Sequence, residues 1–103
     1  MIPEVIKQRL KDSWGDKANA MECYAEVKFI DTMSSWCCYV YALNPDDDDT
    51  ICCMSPYGHE QVYEWSLREL ENSHDRHGEQ VFIDTEYRRM KASTLCRKIQ
   101  GRL

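Results

Sequence analysis

Residues 26–70 contain most of the fold-determining pattern and read EVKFIDTMSSWCCYVYALNPDDDDTICCMSPYGHEQVYEWSLREL. Short β-prone segments alternate here with turn-forming residues. The strongest segment is SWCCYVYAL (35–43), and both of its faces are apolar or aromatic, so we expect a central, covered strand. One face carries Trp36, Cys38, Val40 and Ala42, and the other carries Cys37, Tyr39, Tyr41 and Leu43.

Three helices are predicted around these strands. The first runs over residues 3–14, because apolar residues recur there at four-residue spacing and proline suits its first position. The second begins at Ser66, which forms a capping box with Glu69. The third begins at Ser93 or Thr94 in the basic C-terminal segment.

These patterns predict one α+β domain over residues 1–103. Its antiparallel β-sheet has four to five strands, with an N-terminal helix, a short helix after strand 4 and a short C-terminal helix. The connections are too short for parallel crossovers, and the first two helices should cover one face of the sheet. The predicted strands are 23–31, 35–43, 51–55, 61–65 and 81–83, and residues 16–22 are predicted to be a loop.

The charge is unevenly distributed, although the net charge is only −5. Residues 22–87 contain fifteen acidic side chains and three basic ones, whereas residues 88–103 contain six basic side chains and no acidic one. Direct nucleic acid binding is not expected from such a chain, because it depends on neutralising phosphates. The acidic middle either binds a basic partner or is a solvated face, partly neutralised by the protein's own basic tail.

A partner-binding surface is predicted on the acids and aromatic rings of this middle stretch. The acids are Asp46, Asp47, Asp48, Asp49, Glu60 and Glu64, and the rings are Tyr39, Tyr41, Tyr63 and Trp65. Two helices cover only one sheet face, so the second aromatic face is either capped by the C-terminal segment or used as an interface, including one in a homodimer. The aspartate run itself is expected to be a solvated hairpin turn that contributes little to the fold.

No metal site or other cofactor is predicted. The adjacent cysteine pairs 37–38 and 52–53 lack the spacing of a zinc knuckle, and we expect reduced, core-filling thiols. The aspartate run departs from a calcium-binding EF-hand loop, because its acids are consecutive and it lacks the required glycine. His74 and His77 are the remaining metal candidates, without a third ligand nearby in the sequence.

Catalysis is not predicted either. The chain lacks a glycine-rich phosphate loop, a nucleophile elbow and a zinc-protease helix. The alternative is a small cysteine- or metal-dependent enzyme, in which Cys52 or Cys53 with His59 is the nearest nucleophilic pair. No apolar run approaches the roughly 20 residues of a membrane helix, and the N-terminus lacks the apolar block of a signal peptide. A cytoplasmic protein without a membrane partner is therefore expected.

The segments VKFIDTMSSWCCYVYAL, GHEQVYEWSLREL and VFIDTEY, in this order, resemble the family known as domain of unknown function 2958 (DUF2958). The matching residues are Val27, Lys28, Phe29, Trp36, Tyr39, Val40, Gly58, Glu60, Tyr63, Ser66, Leu67, Glu69 and Leu70. The chain departs from the family pattern in the aspartate turn, the paired cysteines and Asp84-Thr85, where an arginine-aspartate pair is expected.

The resemblance implies a small α+β domain of plasmids, conjugative elements and phages, without a known activity. Small acidic proteins of such elements are often interaction modules, including anti-CRISPR inhibitors of host defence nucleases. The implied function is therefore non-enzymatic inhibition of a nucleic-acid-handling protein, in which the acidic face imitates nucleic acid in a basic groove.

Overall fold

The computed structural model describes residues 2–31, 36–55, 58–72 and 81–101, with side chains throughout except at residues 58–61. It confirms the predicted α+β class. The helices are α1 (Glu4–Asp12), a 3₁₀-helix (Trp14–Glu22), α2 (Leu67–Glu71) and α3 (Ala92–Gln100). The strands are β1 (Tyr24–Ala25), β2 (Val27–Asp31), β3 (Cys37–Leu43), β4 (Thr50–Ser55), β5 (Gly58–Ser66), β6 (Val81–Ile83) and β7 (Met90–Lys91).

Five of these strands form one antiparallel sheet in the order β5-β4-β3-β2-β6, and β1 pairs with β7 in a separate ribbon. The predicted central strand is β3, whose seven residues are all buried. Successive hairpins place β3 between β2 and β4, as expected for short connections. No helix in the described ranges is both long and apolar enough to cross a bilayer.

The register of β3 changes near its end. Val40 pairs with Cys53 and Ala42 pairs with Cys52, so Tyr41 is an extra residue on β3. A bulge of this kind changes which residues share a face. Leu43 consequently lies in the same cluster as Val40, rather than on the predicted face with the tyrosines. The predicted face of this residue was wrong.

The first predicted strand is also divided. The backbone N–H of Glu26, between β1 and β2, donates a hydrogen bond to the carbonyl of Val40 (2.9 Å). Ala25 packs on one side of the sheet, whereas Val27 packs on the other, so the alternation breaks at Glu26. The loop predicted before it contains a 3₁₀-helix, which ends where the N–H of Cys23 donates to the carbonyl of Ala20 (3.1 Å).

Two hydrophobic clusters lie on opposite faces of the sheet. The first contains residues of α1, α2 and the sheet, including Leu10, Phe29, Val40, Ile51, Leu67 and Leu70. The second contains residues of α3 and the sheet, including Tyr39, Tyr41, Met54, Ala92, Leu95 and Cys96, with residues of the 3₁₀-helix packed against it. Burying a large apolar side chain contributes about 1.5–3 kcal/mol, so both covered faces stabilise the fold. The C-terminal segment therefore caps the second face.

Candidate functional site

The aspartate run forms the turn between β3 and β4, and its side chains build that turn. Asp47 accepts hydrogen bonds from the Thr50 hydroxyl and from the backbone N–H groups of Thr50 and Asp49 (both 2.9 Å). These bonds lower the pKa of Asp47, and the bond from the Thr50 hydroxyl has the largest effect. The Asn44 side chain accepts a hydrogen bond from the N–H of Asp46 (2.8 Å). Such side chain-to-backbone bonds are what makes aspartate and asparagine favourable in turns.

Asp49 connects the turn to helix α2. Its carboxylate accepts hydrogen bonds from the N–H of Arg68 (2.9 Å) and from the Ser66 hydroxyl (2.8 Å), and its carbonyl accepts one from the N–H of Leu67 (2.8 Å). The Ser66 oxygen in turn accepts from the N–H of Glu69 (3.2 Å), which confirms half of the predicted capping box. The expectation that the run contributes little to the fold is wrong for Asp49, because it satisfies N–H groups that have no partner within the helix.

The other two aspartates are exposed and differ in their partners. Asp48 has a φ of 54° and pairs with Lys11 at 3.0 Å. Its hydrogen bond to Lys11 and the nearby positive charges of Lys7 and Arg68 lower the pKa of Asp48. Within the part of the chain that the structure describes, the Asp46 carboxylate has no hydrogen bond or ion pair. Asp46 is therefore the aspartate whose charge is most available to a partner.

Strand β5 is an edge of the sheet and meets the turn at its C-terminal end, where Ser66 pairs with Thr50. Glu64 is exposed, and it lies opposite Cys52, on the sheet face of the second cluster. Tyr63 and Trp65 are half-buried and pack against the first cluster. Glu60 belongs to the same strand, but its side chain is outside the description. The strand thus offers an acid on one face and aromatic rings on the other.

Three aromatic rings pack together at this edge. The rings of Trp36 and Trp65 meet edge to face with centroids 5.9 Å apart, and Tyr63 lies 6.2 Å from Trp65. The indole N–H of Trp65 donates to a carboxylate oxygen of Glu69 (3.3 Å). Half-buried rings with a polar group at the surface are typical of protein interfaces. The sequence prediction missed Glu69 as part of this surface, although its four-residue spacing from Trp65 was a usable signal.

Tyr39 and Tyr41 do not reach this surface. Their exposed fractions are 6% and 3%, and they belong to the cluster that α3 covers. Burial raises the pKa of Tyr41, and the Tyr39 ring packs 5.6 Å from that of Tyr87. Their predicted role in partner binding is corrected accordingly, because side chains buried to this extent offer a partner almost no contact area. The homodimer hypothesis loses the free aromatic face on which it rested.

Six of the ten predicted residues lie at one edge of the sheet, which we call the acidic edge, with Glu64 on one face of β5 and Tyr63 and Trp65 on the other. It comprises the exposed acids Asp46, Asp47, Asp48, Glu64 and Glu69 with the half-buried rings of Tyr63 and Trp65. It joins the β3–β4 turn, the end of β5 and the first turn of α2. Lys11 neutralises part of its charge through Asp48, and Asp46 and Glu64 are the acids of this edge whose carboxylates have no hydrogen bond or ion pair among the described residues.

A second polar centre lies at Glu26, outside the acidic edge. Its side chain is 2% exposed, and its carboxylate accepts hydrogen bonds from Arg89 (2.6 and 2.8 Å) and lies 3.4 Å from Arg9. It borders a cavity of about 390 Å³ whose lining includes the apolar Ile6 and the charged Lys28 and Asp84. The carboxylate has two cationic partners, so its arrangement is that of a structural ion pair.

The thiols do not form a recognisable catalytic or metal centre with other side chains in the described ranges. All six cysteines are buried and free. Burial raises the pKa of Cys52 to about 11, which keeps this thiol protonated and poorly nucleophilic at neutral pH. No group of three or more possible ligands that could hold a metal ion occurs among the described residues. His74 and His77 lie outside those residues, as does the side chain of His59.

Comparisons of this chain with protein-family models, with curated proteins and with solved structures find no match. The resemblance to DUF2958 therefore stays a prediction. Most of the predicted site residues lie at the acidic edge, and their exposure, charge and neighbours are the basis for a functional proposal.

Proposed function

We propose that this protein is a non-enzymatic protein-binding module that uses the acidic edge to bind a basic surface of another protein. The observation that carries the proposal is the exposure of Asp46 and Glu64 beside the half-buried rings of Tyr63 and Trp65. The chain has no lysine or arginine from position 29 to position 67, so β5 contains no permanently cationic side chain. Acids steer association with a basic partner, and aromatic rings supply contact area.

The proposed partner is a protein with a basic groove that binds nucleic acid. Side-chain carboxylates at a surface can occupy places that phosphates take in such a groove, and the bound module then blocks the groove. In this form the protein is an inhibitor of a nucleic-acid-handling defence protein in the host cytoplasm, comparable to anti-CRISPR proteins. The resemblance to DUF2958 supports this choice of partner, and the acidic edge supports the mode of binding.

The test removes the two unpaired charges without removing structural contacts. The double variant Asp46→Asn/Glu64→Gln keeps the size of both side chains. The matched control Glu4→Gln/Glu86→Gln removes two exposed acids, one at the start of α1 and one in the turn after β6, away from the acidic edge. Each purified protein is immobilised and exposed to host-cell lysate at low and high salt, and the retained proteins are quantified by mass spectrometry.

We expect the wild-type chain and the control to retain the same basic protein at low salt, and the test variant to lose it. The affinity for the purified partner should fall about tenfold in the variant, mostly through a slower association rate. High salt should have a similar effect, because exposed charges are screened beyond about 10 Å at 0.1 M salt. Equal retention by all three proteins at both salt concentrations would contradict the proposal.

A further inference from the structure

Strand β5 leaves one long side of the sheet open in the described part of the chain. With nine residues it is the longest strand, and it stands at one end of the strand order. Its inner side pairs with β4, where Val62 lies opposite Met54 and Glu64 opposite Cys52. No strand among the described residues pairs with its outer side. The N–H and C=O groups along such an edge are a template for a further strand.

The charges of β5 select the kind of strand that can pair there. Natural edge strands are often protected by lysine, whereas β5 carries Glu60 and Glu64 and has no lysine or arginine. A second copy of the protein is disfavoured, because antiparallel self-pairing centred on Val62 places Glu60 opposite Glu64 of the other copy. Like charges directly opposite each other destabilise a strand pair, and opposite charges stabilise it.

A cavity beside β5 gives a long basic side chain a place to lie. The cavity has a volume of about 360 Å³ and is lined by Val62 and Glu64 on the β5 side and by Gly15 and Lys17 on the 3₁₀-helix side. Val62 is 44% exposed, so it can pack against a methylene stem whose charged end reaches Glu64. Lys17 is a competing cation, but its ammonium lies 4.2 Å from the ring centroid of Trp14.

We infer that the outer edge of β5 binds an extended segment of the partner protein that carries lysine or arginine at alternate positions, and that this segment adds a strand to the sheet. The inference rests on the proposed function, because it specifies how the acidic edge recognises its basic partner. Backbone pairing supplies most of the affinity in such strand addition, and alternate side chains supply the specificity. On one face of the added strand the basic side chains lie along Val62 and Glu64.

The test uses two synthetic peptides of equal charge. One is a short peptide in which lysine and valine alternate, and the other has the same sequence with every amide nitrogen methylated, which removes the donors from both edges of the strand. Binding to the full chain is followed by NMR, through amide shifts and hydrogen exchange at Val62–Trp65. We expect the unmethylated peptide to bind at least about tenfold more tightly than the methylated one and to slow hydrogen exchange within this segment. The variant Glu64→Gln should bind the unmethylated peptide about threefold more weakly than the wild-type chain does.

The variant Glu64→Lys provides a charge-reversal check, with circular dichroism to confirm the fold. It should bind an alternating glutamate-valine peptide in preference to the lysine peptide. Equal, salt-dependent binding of both lysine peptides would overturn strand addition while leaving the proposed function standing. Binding of neither peptide at millimolar concentration would overturn the inference, and the lysate comparison above then decides the proposed function separately. A doubled mass in light scattering, with loss of peptide binding, would make a second copy the occupant and would also overturn it.

Discussion

Replacing Arg89 by alanine tests whether its ion pair with Glu26 holds the C-terminal segment on the sheet. The Glu26 side chain is 2% exposed, and alanine at position 89 would leave its carboxylate with only Arg9, at 3.4 Å, in place of two bonds of 2.6 and 2.8 Å. Removing one partner of a buried ion pair costs about 3–5 kcal/mol. We expect about 3 kcal/mol, the lower end of that range, because the Arg89 side chain is 41% exposed and Arg9 remains.

Urea unfolding followed by circular dichroism measures this loss. With a slope of about 1.5 kcal/mol per molar urea, the midpoint should fall by about 2 M. The matched variant Glu26→Gln should cost only about 1–2 kcal/mol, because it leaves no buried charge and the half-exposed guanidinium groups can be hydrated. Combining Arg89→Ala with Glu26→Gln should cost less than the sum of the two single changes. A smaller loss for Arg89→Ala than for Glu26→Gln, or strict additivity, would show that Arg89 does not neutralise a buried charge on Glu26.

Two further predictions concern the aspartate turn and the thiols. Asp49→Ala should lower the free energy of unfolding by about 1–2 kcal/mol, because it removes a cap of α2. Asp46→Asn should change the free energy of unfolding by less than about 0.5 kcal/mol. Equal urea midpoints for the two variants would contradict these assignments. Burial raises the pKa of Cys52 to about 11, so a thiol reagent should react slowly with the folded protein at mildly alkaline pH. The reaction rate should increase as the pH approaches 11, and all thiols should react when the protein is unfolded in urea. A thiol that reacts in the folded protein at neutral pH as fast as in urea would contradict the protection of the thiols by burial.

The parts of the fold that could be predicted are those with local signals. The capping box at Ser66 and Glu69 gave the start of α2, because both partners of the hydrogen bond lie within one helical turn. The buried strand β3 was recognised because both of its faces are apolar. Its bulge at Tyr41 was not, because a bulge depends on which residues of β4 pair with β3. That register determines the face on which Leu43 lies.

The pairing of the basic tail with the acidic middle is the clearest case of information that the sequence does not display locally. Arg89 and Glu26 are separated by 63 positions, and many other acids in the middle stretch were equally plausible partners. In the structure Glu26 is the acid that pairs with Arg89. It lies between β1 and β2, where the alternation of side chains between the two sheet faces is interrupted, and its carboxylate lies close to both Arg9 and Arg89. The same packing places the ring of Tyr87 against that of Tyr39, and burial removes Tyr39 from the predicted partner surface.

The aspartate run shows why a binding test must separate charge from structure. By composition the run is four equal negative charges, yet Asp47 organises the turn, Asp48 pairs with Lys11 and Asp49 caps α2. Replacing all four by asparagine would weaken the cap of α2, remove an ion pair and remove four charges at once, so a loss of binding could not be assigned to any of them. Asp46 differs, because its carboxylate has no described partner to lose. If the acidic edge binds through its charge, Asp46→Asn should weaken binding without shifting the urea midpoint, whereas Asp49→Ala should lower the urea midpoint because α2 loses a cap.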